Sequence, residues 1–118
     1  MVNNAAQLDA IFMALAHPAR RAMLVRLSKG EATVGELARP LEMSLPAVTK
    51  HLKVMERARL ISRSKNAQWR PCRLEAAPLK TASSWIDEQR KVWESRLDRL
   101  EAHLHEMARE KGTSDDDR

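Results

Sequence analysis

A mostly α-helical chain with one small β-hairpin and a long C-terminal helix is the fold this sequence predicts. Three observations predict it. Apolar residues recur at helical spacing along most of the chain, and helix-start signals stand in front of several such segments. The one β-compatible stretch is short and broken by a polar turn. The last third of the chain repeats an apolar residue every seven positions with no proline inside it. A length of 118 residues fits one domain, and a 43% apolar share is ordinary for a globular one.

Residues 5–16 read as the first helix, because Leu8, Ile11, Phe12 and Leu15 fall on one face. Pro18 ends it or starts the next, a helix over about 18–28 that turns Met23, Leu24 and Leu27 inward. His17, just before that proline, reads as a capping or packing residue, and Gly30 lies near the C-cap. Thr33-Val34-Gly35-Glu36 has the form of a capping box. It opens a short helix with Val34, Leu37, Ala38 and Leu41 on one side and Pro40 near its end. Glu42-Met43-Ser44 makes a turn, and Ser44 is the N-cap expected for a helix over about 45–58.

That helix has two faces. Leu45, Val48, Leu52, Met55 and Arg59 share an inner stripe, and Pro46, Thr49, Lys50, Lys53 and Arg57 share the opposite one. The second stripe contains no acid, whereas a solvated helix face usually mixes signs in i,i+4 pairs. Leu60–Arg63 and Trp69–Leu74 then form the hairpin around a Lys65–Gln68 turn. Its second strand is expected at an edge, because Pro71 cannot donate to a ladder. From about Pro78 to Lys111 one helix is expected. Ile86, Trp93, Leu100 and Met107, with Leu97 and Leu104 between them, give it a 4-3-4-3 seam. Gly112–Arg118 carries three consecutive Asp and no apolar side chain, so 1–111 is read as the folded domain and 112–118 as a disordered acidic tail.

Charge separates the middle from the ends. The net charge is +5, but His17 to Arg73 holds 13 Lys+Arg against 4 Asp+Glu, a local balance of +9. So lopsided a block points to a polyanion. A short helix, a tight turn, a second helix with a basic outer stripe and a hairpin make a winged helix-turn-helix. A major groove admits one α-helix, and flanking phosphates reward Lys and Arg. Candidate DNA contacts on the second helix are Ser44, Pro46, Ala47, Thr49, Lys50, Lys53 and Arg57. Thr49 is either a base-edge contact or plain helix surface. His51 borders the apolar face, where it either packs or reaches a phosphate. The wing offers Arg63, Lys65, Asn66, Gln68 and Arg70 to a minor groove or its phosphates. The seam residues Trp93, Leu97, Leu100, Leu104 and Met107, with Trp85, Leu8 and Phe12, are the candidate dimer interface.

The segments Leu15-Ala16-His17-Pro18-Ala19-Arg20-Arg21, Thr33 to Ala38, Ser44 to Met55 and Ala58-Arg59-Leu60-Ile61 together resemble the ArsR-type repressors, over roughly residues 8–110. The resemblance implies a winged-helix homodimer that binds operator DNA and represses transcription. It implies a recognition helix at about 45–57, and dimerisation through the first and last helices. The sequence departs from the family at its metal sites. Ala32 to Leu41 holds no Cys or His, where sensors carry Cys-x-Cys. His103 and Glu106 match half of a second site, while Gln89 and Val92 occupy the region where its other His is needed. The chain thus resembles the metal-independent branch, and no metal or cofactor is expected.

Other classes fare worse. The single Cys excludes an internal disulfide, an all-Cys zinc site in one chain and a redox pair. Cys72 itself reads as a buried strand residue or inert thiol rather than a redox switch. No nucleophile stands with a base and an orienting third group, so an enzyme is not expected. No apolar run spans a membrane and no basic, hydrophobic leader begins the chain, so a cytoplasmic protein without membrane contact is expected. Two rival readings remain: an effector- or metal-responsive sensor of the same family, and a dimeric interaction module that has lost DNA binding. Operator, regulated genes and any small-molecule effector are not legible.

Overall fold

The computed structural model describes residues 4–64 and 70–116. Their order is α1 (Asn4–Leu15), α2 (Pro18–Leu27), α3 (Val34–Leu41), α4 (Leu45–Arg57), β1 (Ile61–Arg63), β2 (Cys72–Leu74) and α5 (Ala77–Asp116). This is a winged helix-turn-helix with a two-stranded wing and a long last helix, as the sequence predicts.

Local signals fix most of the boundaries. His17 caps α2: its Nδ1 accepts the Ala19 N–H at 3.0 Å, with Pro18 in the first turn. Both halves of the capping box at α3 are formed. Thr33 Oγ1 accepts the Glu36 N–H at 3.2 Å, and the Glu36 carboxylate accepts the Thr33 N–H at 3.3 Å. Those bonds from Thr33, assisted by Arg26, hold the Glu36 carboxyl below the usual carboxylate range. α3 ends at Glu42 in a left-handed conformation (φ 53°), and Ser44 Oγ then caps α4 through the Ala47 N–H. The turn of the helix-turn-helix is thus closed by a left-handed residue on one side and a hydroxyl cap on the other.

The core of the compact unit ending at Ser83 sits where α1, α2, α3 and α4 meet the root of the hairpin. Ile11, Met23, Leu37, Val48, Leu52, Met55 and Leu60 are its largest fully buried side chains. α1 packs on α4 and α2, and α3 packs on α4. Leu8 and Phe12 are half-buried, and Phe12 lies against this core.

The strands are shorter than predicted, with Ile61 opposite Leu74 and Arg63 opposite Cys72 in an antiparallel pair. The expectation of an edge strand is corrected at Cys72. There β2 exchanges two hydrogen bonds with Ala32, from the loop between α2 and α3 (Ala32 N–H to Cys72 O, 3.1 Å; Cys72 N–H to Ala32 O, 2.7 Å). Pro71 does not prevent this, because its carbonyl accepts from Ser64 N–H while the residue after it supplies the donor. Leu45 is a second correction. It belongs to the inner stripe by periodicity yet is 55% exposed, because α4 begins beyond the reach of the core.

From Ser84 onward α5 forms a second unit. It carries Arg90 between Asp87 (3.3 Å) and Glu94 (3.5 Å) along its surface. Trp93, at 64% exposure, leads an open apolar row with Leu97, Leu100, Leu104 and Met107, and Trp85 and Ile86 are also exposed. The helical backbone continues past Lys111, where the sequence ends the folded domain, to Asp116. Among the described residues no helix is long and apolar enough to cross a membrane.

Candidate nucleic-acid interface

The outer face of α4 is laid out as the sequence predicts. Pro46, Lys50, Lys53 and Arg57 are exposed, and Ala47 and Thr49 are half-buried beside them. Ser44 is exposed at the tip and engaged as the cap. Among the described residues Lys50, Lys53 and Arg57 form no ion pair, so three cations face solvent unneutralised along one helix. The acid of α4, Glu56, follows Lys53 at i+3 along the border of this face and is paired with Arg63 of the hairpin at 3.7 Å.

His51 is half-buried and bonded. Its Nδ1 lies 3.0 Å from Arg20 Nη1, and its ring stands 4.5 Å from that of His17, tilted by 50°. Burial, then the charges on His17 and Arg20, hold its imidazole below the ordinary histidine value. Of the two roles left open for His51, packing with a hydrogen bond is the one the geometry displays. Sequence reasoning missed its partner. Arg20 also donates to the carbonyls of Ala14 (2.9 Å) and Met13 (2.8 Å), and Arg21 donates to Leu15 (2.8 Å). Two cations of the basic block therefore close the C-terminus of α1, where carbonyls lack helical donors. Nothing local in the sequence announces this, because Arg20 and His51 are distant along the chain.

The wing divides. Arg63 is turned inward, its side chain only 18% exposed, against Glu56 and the Cys72 thiol. Its inward turn follows from the register that sets Arg63 opposite Cys72. Arg70 is exposed, with a positive φ of 32°. Lys65, Asn66 and Gln68 lie outside the described residues. Arg73 is a further exposed cation on β2 that the sequence reading did not single out. Cys72 is fully buried, and burial pushes its thiol up, opposed by Arg63. Among the described residues no three His, Cys, Asp or Glu side chains gather as a metal site would require.

The helix-turn-helix domain family matches residues 15–63. Over 53 residues the chain is 53% identical to the HTH-type transcriptional regulator Rv2034 of Mycobacterium tuberculosis, a match covering 45% of this chain and 50% of that protein. The chain thus spans about half of Rv2034. It is 29% identical over 76 residues to the transcriptional repressor SdpR of Bacillus subtilis, covering 64% of this chain and 84% of that one. Among solved structures, the ArsR family transcriptional regulator RHA00566 superposes with a TM-score of 0.74 at 44% identity, over 80% of this chain and 98% of that one. With its fold, 44% of its aligned residues and nearly the whole length of that relative shared, the chain belongs to the ArsR family of transcriptional regulators.

Proposed function

We propose that this chain is a homodimeric repressor that binds a near-palindromic site in double-stranded DNA. The observation that carries the reading is the outer face of α4, where Lys50, Lys53 and Arg57 are exposed and unpaired among the described residues, while the neighbouring Glu56 is engaged by Arg63. A helix with small residues at its tip and free cations behind it suits a major groove: phosphates fix its position while the tip approaches the base edges. Repression follows from occupying a promoter and excluding the polymerase, a role that the name of the relative SdpR states for that protein.

The dimer is supported by the exposed row Trp93, Leu97, Leu100, Leu104 and Met107. Large apolar patches of this kind mark interaction sites, and a two-fold partner would cover the row with its own copy. Binding is read as metal-independent, because Ala32 to Leu41 carries no Cys or His and His103 and Glu106 form only half of a second ligand set.

The test is an equilibrium titration against a duplex selected from a randomised pool, repeated at several salt concentrations. A dimer neutralising about 3 to 5 phosphates per subunit gives a log–log slope of roughly −5 to −9. A slope near zero would overturn the DNA reading. Zinc, cadmium or a chelator is expected to leave the affinity unchanged; a several-fold shift abolished by His103→Ala would revive the sensor reading.

A further inference from the structure

The tip of α4 is built differently from the rest of its outer face. Its first three residues, Leu45, Pro46 and Ala47, carry no side-chain donor or acceptor. The backbone adds little in their place. Pro46 has no N–H, the Ala47 N–H goes to Ser44 Oγ at 3.3 Å, and the Val48 N–H goes to the Ser44 carbonyl at 3.1 Å. Leu45 stands 55% exposed, while Val48, Leu52 and Met55 on its own stripe are buried. One turn further on, half-buried Thr49 follows Leu45 at i+4.

Beyond the hydroxyls of Ser44 and Thr49, such a tip has little with which to read a base by hydrogen bonds. It presents an isobutyl group, a proline ring and a methyl. The apolar feature a base pair shows in the major groove is the C5-methyl of thymine. The geometry points to Leu45 as a specificity-determining residue that packs on the C5-methyl of one thymine at a fixed position in each half-site. This inference rests on the DNA-binding reading above and deepens it. It assigns the choice of base at that position to a single methyl group, while the lysines behind it hold any sequence alike.

The experiment uses the full chain and the tightest duplex it selects from a randomised pool. Each thymine is replaced in turn by deoxyuridine, which removes only the methyl. At one thymine per half-site the Kd is expected to rise about fourfold, the equilibrium worth of burying one methyl-sized group. Leu45→Ala, which removes the contact from both half-sites, is expected to bind the thymine duplex about as weakly as the wild type binds a duplex with uracil at that position in both half-sites, roughly sixteenfold, with no further loss on replacement. Leu45→Gln, which keeps the length of the side chain, is expected to be equally indifferent to that methyl. Circular dichroism of both variants is expected to match the wild type, since Leu45 lies outside the core. Tight wild-type binding that no uracil weakens, or a full uracil penalty that survives in both variants, would overturn the assignment to Leu45 alone. A wild-type chain that retains no duplex from the pool would overturn the DNA reading, and this inference with it.

Discussion

Arg20 Nη1 lies 3.0 Å from His51 Nδ1, and a guanidinium can only donate. Nδ1 of His51 must therefore accept, its proton sits on Nε2, and the ring is neutral. The same guanidinium holds the Met13 and Ala14 carbonyls. One side chain thus joins the end of α1 to the middle of α4.

A pH dependence follows. The folded environment holds the His51 imidazole below its ordinary value of 6.5. The unfolded chain then takes up the proton at a higher pH than the native one, so His51 contributes stability above about pH 6.5 that is lost as pH falls toward its native value. Urea unfolding is expected to show a loss between pH 7.5 and 5.5. In His51→Asn, whose amide oxygen can accept from Arg20 but cannot titrate, the loss is expected to be smaller. Identical losses in the two proteins would remove His51 from the account.

Charge reversal on α4 separates binding from folding. Lys50→Glu and Lys53→Glu replace exposed, unpaired side chains, so helicity and thermal stability are expected to change by no more than about 0.5 kcal/mol. DNA affinity is expected to fall, with the salt slope about 2 units shallower for a dimer that loses one phosphate contact per subunit. A destabilised fold in either variant would mean that this face is not free.

The two wing arginines are expected to behave oppositely. Arg70→Ala removes an exposed cation and is expected to weaken DNA binding while leaving unfolding unchanged. Arg63→Ala removes the partner of Glu56, so its effect is expected mainly in denaturant unfolding, at about 1 kcal/mol, because Glu56 stays 39% exposed although Arg63 is turned inward. Paired titrations and unfolding curves on both variants decide the matter, and the reverse assignment would place Arg63 on DNA.

Leu97→Glu or Leu100→Glu puts a charge in the middle of the exposed row on α5. If that row meets its own copy, the cost is several kcal/mol of association, on the order of 3 to 5. Sedimentation is expected to show a monomer that has lost specific DNA binding. A dimer that keeps its affinity would place the interface elsewhere.

Glu42 occupies a left-handed position between α3 and α4 that glycine adopts without strain. Such a conformation costs a non-glycine residue about 1 to 2 kcal/mol, part of which glycine returns as unfolded-state entropy. Glu42→Gly is therefore expected to raise stability by about 0.5 to 1 kcal/mol in urea, and a loss would show that the glutamate has a stabilising contact of its own.

What was legible in the sequence was what local chemistry dictates. Thr33 and Glu36 lie three apart, Ser44 stands directly before an apolar run, and Pro18 follows His17, so each start signal acts within one helical turn and can be read without the fold. The outer stripe of α4 was legible for the same reason, since helical spacing alone sets which residues share a face. Leu45 was misassigned because periodicity gives direction but not where the core stops. Arg63 departs from its expected place on the wing surface, and the role of Arg20 is not legible at all, because Glu56 and Cys72 for the one and His51 for the other are brought by tertiary packing. A basic residue looks the same in a sequence whether it faces a phosphate or closes a helix.

The bridge between Ala32 and Cys72 has a mechanical consequence. Flanked by β1 on one side and by Ala32 on the other, the turn-side end of β2 at Cys72 is clamped to the linker that leads into α3. Bending the hairpin at its root means breaking two bonds of 2.7 and 3.1 Å that also hold the entrance to the helix-turn-helix. The pair of strands up to Arg63 and Cys72 therefore moves with the entrance to the helix-turn-helix as one lever. Amide exchange at Ala32 and Cys72 would report that stiffness directly, as protons that open only when the helical unit itself opens.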